Sequence, residues 1–189
     1  MPVEVIRWAA LLLWLFWIIR YWGGGTAAVS SLEHSGSRAD TLLMLAIAVG
    51  TLLLLGTGAA LSVGWWTLPA WGGEVLGLLL LLCGVAGTFY CRGYLGRLWT
   101  AEASLQQEHQ LVDSGPYSVV RHPIYTAACV LYGGTALVFP AWWNLLAAGI
   151  VIISYGLKAR LEDYFLAANL SGYDAYQARV RWRLLPRVW

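Results

Sequence analysis

The residues best suited to chemistry form a polar segment at 115–125 that runs directly into an apolar stretch. It opens with a Gly-Pro pair typical of a turn, and Pro123 suits the first position of a helix, where its missing N–H costs nothing. His122 then lies at the helix cap, beside Arg121 and on the same face as Tyr125. Because the dipole and free N–H groups of a helix N-terminus favour negative charge, the segment predicts a site for an anionic group. An interfacial Arg-His anchor is the simpler alternative.

A second polar set follows the last long apolar run. Lys158, Arg160, Glu162 and Asp163 lie where a helix would leave the membrane, so two adjacent carboxylates lie about one turn beyond its edge. A Ser-Gly pair at 171–172 predicts a break before a short final helix. The alternative interpretation is a salt-bridged helix end whose long basic side chains reach towards the membrane surface.

Composition identifies the environment in which these residues act. The chain has 189 residues, of which 59% are hydrophobic and 12% charged, and its mean hydropathy is +0.63. Such values are typical of an integral membrane protein. A spanning helix needs roughly 17–25 apolar residues, and runs near that length occur at 5–22, 41–63, 75–95, 124–139 and 142–157.

These runs predict an all-α membrane bundle of about five transmembrane helices, in which the last two short runs form a hairpin. We expect one domain over 1–189, with N-terminal helices in 1–70 and a catalytic core in 71–189. When five spans alternate across the membrane, Arg7 falls on one side and the rest of the 12 Lys and Arg residues on the other. This asymmetry predicts that the basic side, which carries both polar sets, faces the cytoplasm.

The chain also resembles a known family. The residues that carry the resemblance are Leu-Gly-Arg-Leu-Trp at 95–99, Gly-Pro-Tyr-x-x-x-Arg-His-Pro-x-Tyr at 115–125, Arg-x-Glu-Asp at 160–163, and Tyr-x-x-Tyr-x-x-Arg-Val with Leu-Leu-Pro at 173–186. In this order they resemble the isoprenylcysteine carboxyl methyltransferase family, part of a wider membrane methyltransferase group that includes phospholipid N-methyltransferases. Asp163 departs from the pattern, since the family usually has a second Glu there, and Arg181-Trp182 interrupts what is usually Val-Pro-Arg.

The resemblance implies methyl transfer from S-adenosylmethionine, bound between the loop before the fourth run and the helix beyond the fifth. The implied cofactor-binding residues are Leu111, Val112 and Tyr117 in the loop, His122, Pro123 and Tyr125 at the helix start, and Glu162 and Asp163 on the later helix. The helix start suits the cofactor's carboxylate, the acidic pair its ammonium or ribose hydroxyls, and the loop its adenine. No metal is required by this chemistry, and none is predicted.

The acceptor that this implies is a lipid or a lipidated molecule entering from the bilayer, with membrane lipids and no nucleic acid as partners. A carboxylate acceptor needs a cation to orient it, for which Arg121 and Arg160 are the predicted catalytic residues. An amine acceptor, as in phospholipid N-methylation, would instead need a carboxylate as base. Two alternatives of other classes are an NADPH-dependent membrane reductase of the sterol-reductase kind and a non-catalytic lipid-binding membrane protein.

Overall fold

Helices dominate the computed structural model, which describes residues 2–22, 31–34, 37–62, 72–99, 104–106 and 111–189. The α-helices in these ranges are α1 (Val3–Trp22), α2 (Arg38–Ser62), α3 (Glu74–Leu95), α4 (Pro123–Val138), α5 (Trp142–Asn169) and α6 (Tyr173–Arg179). The predicted all-α membrane bundle is confirmed. A short antiparallel pair, β1 (Ser31–His34) with β2 (Ser104–Gln106), was not predicted, because strands of three or four residues are too short for alternation to be recognised.

Three helices within the described residues, α2, α3 and α5, are long and apolar enough to cross a membrane. Helix α4, with 16 residues, and helix α1, with 20 residues, are not among these three. The predicted runs at 41–63 and 75–95 are therefore confirmed as helices of spanning length, whereas the total of five spans stays a prediction. The run at 142–157 continues without interruption to Asn169, so the expected helix emerging from the membrane is the second half of α5.

The predicted break after α5 is present and positions α6. Gly172 adopts a left-handed conformation with φ of +85°, which residues with a side chain rarely adopt. The chain reverses there, and α6 packs back through Tyr173 and Tyr176, which are buried together with Val180. This small apolar cluster holds α6 and the tail that follows against Leu111 and the end of α5.

Helices α3 and α4 approach each other most closely at glycines. A Cβ atom on Gly84 would lie 2.5 Å from the backbone nitrogen of Leu131, and one on Gly134 would lie 2.5 Å from that of Leu81. Small residues at such positions allow helix backbones to pack in direct contact. The α3–α4 pair is consequently a tight unit, and it fixes the direction in which the N-terminus of α4 points.

Helix α1 docks onto this unit through two tryptophan side chains. The indole N–H of Trp14 donates to Thr135 Oγ1 at 2.9 Å, and that of Trp17 donates to Thr88 Oγ1 at 2.8 Å. Both contacts cross to neighbouring helices, α4 and α3 respectively. The aromatic face of α1 is therefore turned towards the interior of the bundle.

Candidate functional site

The start of α4 has the geometry that its sequence predicts. A 3-10 turn at Gly115–Ser118 precedes it, with Gly115 in a left-handed conformation at φ of +57°. A Cβ at Gly115 would overlap the ring of Tyr94 on α3 unless that ring moved, and the left-handed conformation itself favours glycine. His122 is the N-cap residue, and Pro123 opens the helix. The turn therefore fixes the position of His122 at the N-terminus of α4.

The C-terminal tail covers the start of α4. The backbone N–H groups of Arg121 and His122 donate to the carbonyl oxygens of Trp182 and Arg183, both at 2.9 Å. The N–H of Tyr125 donates to the carbonyl of His122 at 3.1 Å. The expectation that free N–H groups there would bind an anion is thus not met for these three. Tail residues distant in sequence supply the acceptors, which the local pattern could not reveal.

Asp163 joins four parts of the chain at one buried carboxylate. It receives two hydrogen bonds from the Arg121 guanidinium at 3.1 and 2.8 Å, and one from Tyr173 Oη at 2.7 Å. His122 Nε2 lies 3.0 Å away and Arg183 Nε lies 2.6 Å away. The Arg121 guanidinium also donates to the carbonyls of residues 180 and 181. Asp163 consequently holds α4, α5, α6 and the tail together.

Glu162 lies on the other side of the same imidazole. Tyr125 Oη donates to Glu162 Oε1 at 2.6 Å, and His122 Nδ1 lies 3.3 Å from Oε2. The rings of His122 and Tyr125 are stacked, with centroids 5.6 Å apart. Burial alone lowers the pKa of His122, but hydrogen bonds to Asp163 and Glu162 outweigh it and raise that pKa above 6.5. These contacts favour the protonated imidazole, which can donate to both carboxylates.

A cavity of about 610 Å³ begins at Glu162 and extends into the helical bundle. Ligand pockets typically have volumes of roughly 300–1,000 Å³. Its polar end is lined by Leu111, Val112, Tyr117, His122, Tyr125 and Glu162. Its deeper part is lined by aromatic and apolar side chains together with a few hydroxyl groups, among them Trp14, Trp17, Ile47, Thr51, Tyr132 and Tyr155. The cavity thus joins a charged end to an apolar interior.

The structure brings most of the predicted site residues to this cavity. All three loop residues line it, as do His122, Tyr125, Glu162 and Arg121. Pro123 and Asp163 are buried and are not part of the lining. Arg160 is exposed on the opposite face of α5, where its guanidinium lies 5.1 Å from the ring centre of Trp189. The roles assigned to these residues from the sequence stay predictions.

Several cavity residues were missed by the sequence reasoning. Tyr155 and Lys158 were not predicted as site residues, yet both line the cavity at helical spacing from the predicted Glu162 on α5, and that spacing was the available signal. Lys158 pairs with Asp40 of α2, which is 118 residues away and gives no local sign of the contact. Tyr132 shares a hydrogen bond of 2.6 Å with Thr51, again between α4 and α2.

A model of the phospholipid methyltransferase family matches residues 73–171, which run from the start of α3 to just beyond the end of α5. The chain belongs to the phospholipid methyltransferase family. The resemblance to a membrane methyltransferase group is therefore confirmed. The match contains the 3-10 turn, the start of α4 and the Glu162–Asp163 pair of this family member, whereas α1, α2 and the tail lie outside it.

Two relatives of this family member are known by their part in metal resistance. Over 115 residues it is 36% identical to the cobalt-zinc-cadmium resistance protein CzcN of Cupriavidus metallidurans, which covers 58% of this chain and 50% of that protein. Over 111 residues it is 31% identical to the nickel-cobalt-cadmium resistance protein NccN of Alcaligenes xylosoxydans xylosoxydans, covering 58% and 51%. The chain spans about half the length of these relatives.

Proposed function

We propose that the protein is an S-adenosylmethionine-dependent membrane methyltransferase that methylates a lipid-like or lipidated acceptor. The observation that supports this most is the cavity, which places an anchored carboxylate, Glu162, at the end of an aromatic and apolar chamber within a helical bundle. Membership of the phospholipid methyltransferase family supports the same reaction class.

The residues at the polar end fit the cofactor by their chemistry. Glu162 would accept hydrogen bonds from the cofactor's ammonium group or ribose hydroxyls, because its carboxylate lines the cavity and is fixed by Tyr125 and His122. Leu111 and Tyr117 would form the walls around the adenine together with Tyr176, whose hydroxyl donates to the carbonyl of Tyr117 at 2.7 Å. S-adenosylmethionine, when bound, supplies an activated methyl group on a sulfonium.

The side chains of the chamber would position the acceptor and exclude water, and such positioning provides most of the acceleration in a direct methyl transfer. Trp14, Trp17 and Ile47 line its deeper part and offer apolar surface to a hydrocarbon tail. We infer that the polar end faces the cytoplasm, because the basic residues are concentrated on that side.

Carboxyl O-methylation is the reaction we propose. An amine acceptor must first lose a proton, yet Glu162 accepts a hydrogen bond from Tyr125 and faces the His122 cation, both of which favour its ionised form and weaken it as a base. A carboxylate acceptor needs no base. The family's description supports a second candidate, methylation of a phospholipid amine, and that reaction would require Glu162 to accept the proton.

Ligand binding by the purified full-length protein tests the proposal. S-adenosylhomocysteine at one hundred times its dissociation constant should stabilise the protein by about 2.7 kcal/mol. NADPH at the same concentration is the matched control for the reductase alternative, and it should produce no shift. A shift with NADPH alone would favour the reductase, and no shift with either ligand in folded protein would refute the methyltransferase.

A further inference from the structure

A buried ion pair forms part of the cavity wall one helical turn before Glu162. Lys158 Nζ of α5 lies 2.5 Å from Asp40 Oδ1 of α2. The side chains of both residues are almost completely buried, with 2% of Lys158 and 8% of Asp40 exposed. Lys158 also lines the cavity. The pair therefore lies between two helices, in the wall of the chamber.

Structural support alone is a weak reason for such a pair. Taking two charges out of water is costly, and a buried ion pair is often no more stabilising than apolar residues of similar volume. Asp40 is the hydrogen-bond partner of the Lys158 ammonium within the described part of the chain. The ammonium therefore keeps N–H donors that an anion in the chamber could use.

The other cations near the chamber are committed to different contacts. Most of the N–H groups of Arg121 are engaged by Asp163 and by tail carbonyls, and Arg160 is exposed against Trp189. His122 lies between Glu162 and Asp163. Among the described residues that line the chamber, Lys158 is thus the cation with the fewest N–H groups bound to protein acceptors.

The position of Lys158 matches that of an acceptor head group. It lies one helical turn before Glu162 and one turn after Tyr155 on the same face of α5, so it separates the polar end from the deeper chamber. Asp40 comes from α2, outside the region that matches the family. Met44, Ile47 and Thr51 follow Asp40 along α2 at helical spacing and line the chamber. Helix α2 therefore supplies a chamber wall from outside the matched region, whereas the residues of the proposed cofactor site lie mostly inside it.

We propose that Lys158 binds an anionic head group of the methyl acceptor, a carboxylate or a phosphate attached to an apolar tail, and that Asp40 is the buried counter-ion with which this head group shares the ammonium. The proposal rests on the proposed function for the identity of the acceptor, while the anion site itself can be tested without turnover. The tail would extend past Tyr155 into the chamber, and the head would lie beside the cofactor end.

Calorimetric binding of four amphiphiles of equal chain length tests the proposal on detergent-purified protein, with empty micelles as the blank. The probes are palmitate in its ionised form, hexadecyl phosphate, hexadecylamine and hexadecanol. The variant Lys158→Gln should weaken binding of palmitate, hexadecyl phosphate or both on the order of 10- to 100-fold. Lys158→Arg should retain most of that affinity, and binding of the alcohol should not change.

The variant Asp40→Asn separates a binding role from a structural one, because it breaks the same ion pair from the other side. A free Lys158 should bind the anionic probes as tightly as wild type or more tightly. Equal losses in Lys158→Gln and Asp40→Asn would overturn the proposal, and so would wild-type protein that binds all four probes alike. The anionic probe that binds more tightly identifies the head group of the acceptor as a carboxylate or a phosphate.

Two further measurements keep the result interpretable. The double variant Asp40→Asn/Lys158→Gln leaves no buried charge unpaired, so it serves where Lys158→Gln fails to fold, and it should lose the same preference for anionic probes. In folded Lys158→Gln protein, S-adenosylhomocysteine affinity should fall far less than the affinity for the anionic probes, because the contacts of Glu162 with Tyr125 and His122 remain, and in Asp40→Asn it should be unchanged. Wild-type protein that binds the anionic probes but not S-adenosylhomocysteine would refute the proposed function and support the anion site, and the reverse would refute the anion site alone.

Discussion

Replacing Asp163 by Asn should destabilise the protein far more than replacing its neighbour Glu162 by Gln. Donors from Arg121, His122, Tyr173 and Arg183 converge on the Asp163 carboxylate at 2.6–3.1 Å. Its side chain is 3% exposed, so water cannot replace a lost partner. In the Asn variant, one oxygen can still accept, but the amide N–H₂ would face donors.

The magnitude follows from the contacts on Asp163 Oδ2. Arg121 Nη2 at 2.8 Å and Arg183 Nε at 2.6 Å both lose a charged acceptor when the amide replaces that oxygen. A hydrogen bond to a charged group contributes about 1.5–3 kcal/mol, so the loss should be about 3–6 kcal/mol. Breaking a buried ion pair from one side gives a similar range, about 3–5 kcal/mol. For a chain of this length, the Tm should fall by roughly 6–24 °C.

Glu162→Gln is the matched control, since it makes the same chemical change one residue away. The Gln oxygen can still accept from Tyr125, and neutral His122 can accept from the Gln N–H₂, so the stability loss should be about 1 kcal/mol. Its S-adenosylhomocysteine affinity should fall by about 1–3 kcal/mol. Thermal melts in detergent and calorimetry check both variants. An Asp163→Asn variant with the Tm of wild type, or an equal fall in Tm in the two variants, would refute this division of roles.

Other predictions concern helix packing, pH and sidedness. Gly134→Ala should lower the free energy of unfolding by about 1–3 kcal/mol, because it drives a methyl group into α3. Gly133→Ala is the control and should not, because nothing lies within 4 Å of its Cβ. Equal Tm values for the two variants would contradict the α3–α4 contact. The raised pKa of His122 gives stability that is complete below pH 6.5 and is lost as pH rises through the raised value. Wild-type Tm should therefore fall over that interval while His122→Gln stays level, and parallel profiles would contradict it. In a cysteine-free background, Ala175→Cys should be shielded from an impermeant thiol reagent in intact cells and Trp142→Cys labelled; the reverse pattern would overturn the topology.

The start of α4 shows what the sequence could predict. Pro123 and the Gly-Pro turn predict where α4 begins, and Gly172 predicts the break after α5. Each of these signals depends only on residues that are neighbours in the sequence. Apolar runs of sufficient length likewise locate α2 and α3 without any knowledge of their neighbours. These features are local, so a single sequence contains them.

The division of roles between Glu162 and Asp163 could not be predicted in this way. Adjacent residues on a helix point about 100° apart, and which of them faces the cavity depends on the rotation of α5 against α4. The partners that occupy Asp163 come from α4, α6 and the tail. The pairing of Lys158 with Asp40 is equally remote in sequence. Such contacts follow from packing between distant segments, which spacing along the chain does not encode.

Transfer of a labelled methyl group is the measurement that tests the central claim most directly. Membranes from cells that express the protein are incubated with S-adenosylmethionine labelled in its methyl group, and the label in lipid-extractable product is counted. We expect label above that of membranes without the protein, and for Glu162→Gln a reduction on the order of 5- to 150-fold at limiting cofactor, as a loss of about 1–3 kcal/mol implies. Folded wild-type protein that transfers no label, or a Glu162→Gln variant as active as wild type, would contradict the account.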